Sequence, residues 1–185
     1  MQQTQPPEAE VNMLIALYNA HCYAEAEIQT RALLGQYPDF GFGWKLLGGT
    51  LQMQGKDALP AFQKVAELSP NDAEAHYNLG VVLKSLGQLD NAVASYRRAV
   101  ALKPDYAEAH SNLGNTLKDM GRHDDAIASY RRAIEIKADS ADAHNNLGTA
   151  DSALSVVAGF AAKLKSRNNA RMPYVSKYAD HLLAN

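Results

Sequence analysis

Apolar residues recur along this chain at intervals of three and four. Leu79, Val82, Leu83 and Leu86 stand at i, i+3, i+4 and i+7, which places them on one face of a helix. Ala92, Val93, Tyr96, Ala99 and Val100 repeat the pattern a short distance on. Gly87 lies between the two faces, where the left-handed conformation that ends a helix suits glycine. Asp90 is expected to cap the second helix, and Pro104 closes the unit because proline cannot continue a helix interior. The pattern therefore predicts a helix–turn–helix. It also repeats: Ala73–Tyr106 lies over Ala107–Ser140 without a gap at an offset of 34, with 20 of 34 positions identical. Asp105-x-x-Glu108, Asn71-x-x-Glu74 and Asp139-x-x-Asp142 have the spacing of a capping box. Gly80 and Gly114 sit inside predicted helices, where glycine costs about 1 kcal/mol against alanine. Their presence predicts close approach of a neighbouring helix.

The repeat extends in both directions. Upstream, Trp44, Leu47, Gly48, Leu51, Gly55, Ala58, Phe62 and Pro70 form a copy that is two residues short, the loss falling between Gly55 and Ala58. Pro60 then falls in a first helical turn, where it is tolerated. Leu17, Tyr23, Ala26 and Pro38 mark a degenerate first copy with His21 in the turn-glycine position. Downstream, a further copy opens at Ala141 and diverges after Gly148. Leu147, Ala150, Leu154, Val157, Ala161 and Leu164 predict one long helix from about Ala141 to Lys165, and Pro173 opens a last helix carrying Val175, Tyr178, Leu182 and Leu183. The expected organisation is a tail over 1–7, a repeat array over 8–148 (8–40, 41–72, 73–106, 107–140 and the start at 141) and a helical cap over 149–185. A solenoid end has to cover its last apolar face, which is the role expected of that cap.

The residues Leu79, Gly80, Leu83, Gly87, Ala92, Tyr96, Ala99 and Pro104, and their counterparts Leu113, Gly114, Leu117, Gly121, Ala126, Tyr130 and Ala133, resemble the tetratricopeptide repeat. The resemblance implies an all-α, right-handed solenoid of about four helix–turn–helix repeats. It also implies that the first helix of each pair lines a concave, partner-binding groove. Carried over position by position, the groove residues are Tyr77, Asn78 and Lys84, then Asn112, Asn115 and Lys118, then Asn145 and Asn146. Asn78, Asn112 and Asn146 recur with the repeat period and form a ladder of amides. An amide both donates and accepts, so it can hold a peptide backbone without reading its side chains. Leu46 holds the equivalent place upstream.

The phrasing Ala-Glu-Ala-His-x-Asn-Leu-Gly is similar to repeats of O-linked N-acetylglucosamine transferases and their bacterial relatives. That likeness implies a substrate-recruiting arm, because the large catalytic domain of those enzymes has no counterpart in this sequence. A different repeat subtype grips acidic C-termini with lysines and asparagines. Lys84, Lys118, Asn78 and Asn112 supply those residue types, but Tyr77 and Ser111 stand where a further basic residue belongs.

Composition narrows the classes. At about 150 residues per domain, 185 residues make one compact domain or a short solenoid. A formal net charge of -2 argues against a general nucleic-acid binder, and the basic residues of the tail lack an aromatic stacking platform. No apolar run suits a membrane span. Cys22 is the single cysteine, which fits a reducing, cytoplasmic setting. His76, His110 and His144 lie one repeat apart, too far to share a metal ion, so repeat packing explains them better. Arg97-Arg98 and Arg131-Arg132 are expected on the outer side, in solvent. No catalytic constellation, cofactor motif or metal site is evident. The expected function is a non-catalytic protein-interaction scaffold that binds a peptide or protein in its groove, with self-association through the solenoid ends as a further expectation.

Overall fold

The structure is a computed structural model that describes residues 5–138, 143–152, 155, 156 and 158. Among these residues it is helical throughout, with turns between and no strand. The fold is the expected all-α array of tetratricopeptide-type helix pairs. The chain divides into two compact units, Met1–Ala109 and His110–Asn185.

The first unit contains α1 (Glu8–Asn19), α2 (Tyr23–Gln36), α3 (Gly41–Met53), α4 (Leu59–Leu68), α5 (Ala73–Ser85) and α6 (Leu89–Leu102). Its core gathers Leu34, Leu47, Leu51, Ala58, Ala61, Phe62 and Val82, with Phe40, Trp44, Leu59 and Leu79 packed against them. Burying a side chain of the size of Leu47 or Phe62 contributes about 1.5–3 kcal/mol. The mid-helix glycines are explained by their partners. A Cβ on Gly80 would stand 2.7 Å from the ring of Tyr96, and one on Gly48 would stand 2.7 Å from the ring of Phe62. Both helix pairs close by seating an aromatic ring of the second helix on the bare backbone of the first.

The turns share one geometry. Gly87 has φ +72° and Gly55 has φ +66°, and in each case the next residue's N–H reaches back five residues, Gln88 to the Leu83 carbonyl and Lys56 to the Leu51 carbonyl, both at 2.9 Å. This is the paired C-terminal cap that uses a left-handed residue to satisfy orphan carbonyls. His21 occupies that position in the first pair, with φ 59°, and Cys22 N–H reaches Leu17 O at 3.0 Å. The short copy keeps the turn intact, and Pro60 stands in the first turn of α4.

Two local expectations are corrected, and a third gains a detail. Asp90 lies inside the first turn of α6, whose N-cap is Gln88, so it acts on the helix dipole rather than as a cap. Asp72, not Asn71, caps α5, its carboxylate accepting the Glu74 N–H at 2.9 Å. Arg98 is exposed but tethered: its guanidinium donates to Pro70 O and Asn71 Oδ1, both at 3.3 Å. The His76 ring lies 3.0 Å from the same Pro70 carbonyl and donates to it through Nε2. The periodic histidine thus ties its helix to the turn before it.

The second unit takes up α7 (Ala107–Asp119, which begins just before the unit boundary) and α8 (His123–Ile136), then helical residues at 143–152. Leu113, Leu117, Ile127 and Tyr130 are buried. Gly114 repeats the Gly80 arrangement, a Cβ there standing 2.7 Å from the ring of Tyr130. Gly121 has φ +76° and ends α7. Ala143 and Ala150 are buried, as the start of a further copy requires. The expected continuation of that helix to Lys165, and the last helix after Pro173, lie outside the described residues.

Candidate functional site

The first helices of the three pairs in unit one, α1, α3 and α5, border a cavity of about 330 Å³. Its apolar wall is Tyr18 from α1, Phe42 and Leu46 from α3, and Phe62 from α4 behind them. Gly49 belongs to the same wall, and its bare backbone lets the Tyr18 ring lie close, a Cβ there coming within 3.4 Å of the Tyr18 hydroxyl. The Gly48-Gly49 pair therefore has two jobs. Gly48 seats Phe62 and Gly49 makes room for Tyr18.

The polar edge consists of Lys45, Glu74 and Asn78. Lys45 Nζ donates to Glu74 Oε1 at 2.5 Å, linking α3 to α5. Both partners are about half exposed, so the pair contributes at most about 1 kcal/mol, and a ligand charge can compete for it. Phe42 is 44% exposed despite its size, which leaves a large apolar ring facing solvent at the mouth.

Of the groove residues expected from sequence, Asn78 lines this cavity. Tyr77, next to it on α5, points into an aromatic cluster: its ring lies 4.9 Å from that of Tyr106 and 5.9 Å from that of Tyr96. Lys103 Nζ stands 4.9 Å from the Tyr106 ring centroid. Burial, then the negative field of Tyr77, Glu74, Glu108 and Asp72, pushes the Tyr106 hydroxyl up to about 12. Lys84 is half-buried near the end of α5 and engaged in an interaction of its own.

The remaining expected residues belong to unit two. Asn112 is half-buried and engaged, and its backbone carbonyl accepts the Thr116 hydroxyl at 2.8 Å. Asn115 accepts a hydrogen bond from the buried Tyr130 hydroxyl at 2.8 Å, so its amide secures the α7–α8 pair. Lys118 is half-buried, Asn145 exposed and Asn146 half-buried. The amide ladder is thus divided, Asn78 in one unit and Asn112 and Asn146 in the other. Periodicity did not indicate the apolar cavity, because Tyr18, Phe42 and Gly49 break the repeat pattern. The signal that could have found it lay in the departures from the repeat at Phe42 and Gly49, with leucine in the asparagine register at Leu46.

A second polar cluster is structural. Glu27 on α2 accepts hydrogen bonds from Lys56 at 2.6 Å, Arg31 at 3.0 Å and Gln54 at 3.0 Å. The Lys56 bond, then the Arg31 bond, hold its carboxyl down near 2, against a smaller opposing effect of burial. Among the described residues no cluster of three or more histidine, cysteine or carboxylate side chains is placed to hold a metal ion. No helix among them is long and apolar enough to cross a membrane.

Comparison with known proteins agrees with this architecture. A family model described as TPR repeat matches residues 82–121 and 114–150, and one described as tetratricopeptide repeat matches 61–94. The crystal structure of MamA protein is similar at 28% identity, covering 77% of this chain and 79% of that one, with a TM-score of 0.74. MamA from Desulfovibrio magneticus RS-1, from residue 41 to its end, is similar at 28% identity over 74% of this chain and 78% of that one, with a TM-score of 0.66. YrrB, described as a TPR protein with an unusual peptide-binding site, is 27% identical over 74% of this chain and 72% of that one, with a TM-score of 0.68. A comparison with curated proteins found no match. The helix pairs, their glycine-seated aromatic rings and these matches together show tetratricopeptide repeats over residues 61–150 of the chain.

Proposed function

We propose that this chain is a non-catalytic protein-interaction module that holds a peptide segment of a partner against the inner helices of its first unit. The observation that carries the reading is the cavity beside Asn78: an apolar wall with an exposed phenylalanine at its mouth and an amide at its edge. Such a surface buries an apolar side chain and offers the ligand backbone a donor and an acceptor. Peptide binding by the similar YrrB supports the class of ligand. The likeness to transferase repeats rests on the phrasing of the repeats alone, and the similar structures named above are MamA and YrrB.

Affinity capture from source-cell lysate tests the reading, comparing the unaltered chain with Phe42→Ser and Asn78→Ala. Both side chains reach solvent or the cavity edge, so circular dichroism is expected to be unchanged. A partner retained by the unaltered chain and lost by both variants is the expected result. Equal retention by all three would move the function away from this cavity.

A further inference from the structure

The glycine-on-ring seat that closes α3–α4, α5–α6 and α7–α8 is reversed in the first pair. We infer that Leu14 and Thr30 form this reversed seat, and that it acts as a pairing lock. It lets α1 close only on α2, and it keeps both helices from exchanging with the other repeats or with those of a second copy of the chain. The lock is independent of what the cavity binds.

In the other pairs a bare backbone on the first helix receives an aromatic ring from the second. Gly80 receives Tyr96 and Gly114 receives Tyr130, each 16 residues on, and Gly48 receives Phe62 in the copy that is two residues short. In all three a Cβ on the glycine would stand 2.7 Å from the ring. Counting 34 back from Gly48 gives Leu14, and 16 on from Leu14 gives Thr30. The large side chain has moved to the first helix and the small one to the second. Both are buried, and α1 packs on α2. Leu14 shares a small cavity of about 90 Å³ with Gln29 and Leu33, the α2 residues one before and three after Thr30. The Thr30 hydroxyl has no hydrogen-bond partner among the described residues, so size rather than hydrogen bonding accounts for threonine there.

Wrong pairings are penalised from both sides. A ring from α4, α6 or α8 brought against α1 would meet a whole leucine side chain where a Cβ alone is already too close. In the reverse exchange, α2 brought against α3, α5 or α7 would leave a void over the glycine, because Thr30 has no ring to fill it. The two copies from Ala73 to Ser140 share 20 of 34 positions. Helices so alike offer one another the same seat, and exchange between repeats is the characteristic failure of such arrays. Tyr18 stands on α1 one turn past Leu14, so a change of pairing would also take its ring off Gly49.

Urea unfolding and light scattering on the full chain test the lock. Leu14→Gly and Thr30→Tyr are each expected to lower the urea midpoint, the first by leaving a void and the second by overpacking. The double variant gives the first pair the common seat and is expected to recover at least about half of the summed loss. After refolding from urea at high protein concentration, it is expected to yield severalfold more higher-mass species than the unaltered chain, the mark of helices exchanged between copies. Gly80→Leu with Tyr96→Thr is the second arm. It moves the reversed seat into α5–α6, which makes α1 and α5 interchangeable, so the same recovery over its single variants and the same rise in higher-mass species are expected. If the first double variant fails to fold by circular dichroism, the second arm decides on the same two readouts. Losses that simply add, or loss of the fold, in both double variants would show that the paired positions do not seat one another and would overturn the inference. Recovered stability with no rise in higher-mass species in either double variant would reduce the reversed seat to packing and overturn the lock.

Discussion

Gly80 shows how one residue type reports a tertiary contact. Alanine there would gain about 1 kcal/mol of helix propensity, yet its Cβ would press to 2.7 Å on a Tyr96 ring that is 1% exposed and cannot retreat. Overpacking a closed site costs about 1–3 kcal/mol, so the clash wins. Gly80→Ala is expected to lower unfolding free energy by about 1–2 kcal/mol in urea titration, and Tyr96→Leu in the same chain to recover part of the loss. Gly80 and Gly114 were legible in the sequence because a glycine retained in a helix at an exact repeat interval demands a reason. The role of Asn115 was not legible. An asparagine on a predicted groove face reads the same whether it faces a ligand or, as here, accepts the Tyr130 hydroxyl.

The helices and their turns were largely readable, since apolar spacing and left-handed glycines are local properties of the chain. His21 in place of glycine was readable as a departure, and the structure shows the turn keeps its form with a positive φ and the His21 ring bonded to the Tyr23 hydroxyl at 2.6 Å. The tie between α2 and the shortened α3–α4 turn was not readable. Lys56 belongs to the turn that lost two residues, and its bond to Glu27 crosses 29 positions. This tie carries a pH signature. The folded carboxyl of Glu27 is lowered from 4.5 to about 2. A lowered folded value gives stability that is fully present above the unfolded value and is lost as pH falls through the folded one. Stability is therefore expected to decline between about pH 4.5 and pH 2 partly through this group. Urea unfolding across that range checks it: Glu27→Gln should be less stable near neutrality and should show a shallower decline with acid.

Across the first unit, helices pack on near neighbours in the chain: α1 on α2 and α3, then α2 on α3, α3 on α4, α4 on α5 and α5 on α6. Such contacts close short loops, and chains dominated by local contacts fold in microseconds to milliseconds. Trp44, the single tryptophan, packs against the unit-one core and reports on it. Stopped-flow refolding followed by its fluorescence is expected to show a dominant phase complete within about milliseconds. A dominant phase of seconds would mean that long-range order has to form first.

By itself the sequence determined the repeat, its period, the helix pairs and the residues that turn between them. Each of these depends on spacing within a few tens of residues, and a repeated unit states its own packing twice. Tertiary structure alone decided which polar side chains stand at the edge of the cavity. It turned Asn115 inward to a tyrosine, engaged Lys84 and Asn112, and opened a cavity where Tyr18, Phe42, Leu46 and Phe62 converge from three helices of two pairs. Tyr18 and Phe42 stand outside the repeat pattern, and side chains brought together by the stacking of helices leave no regular mark on the chain that carries them.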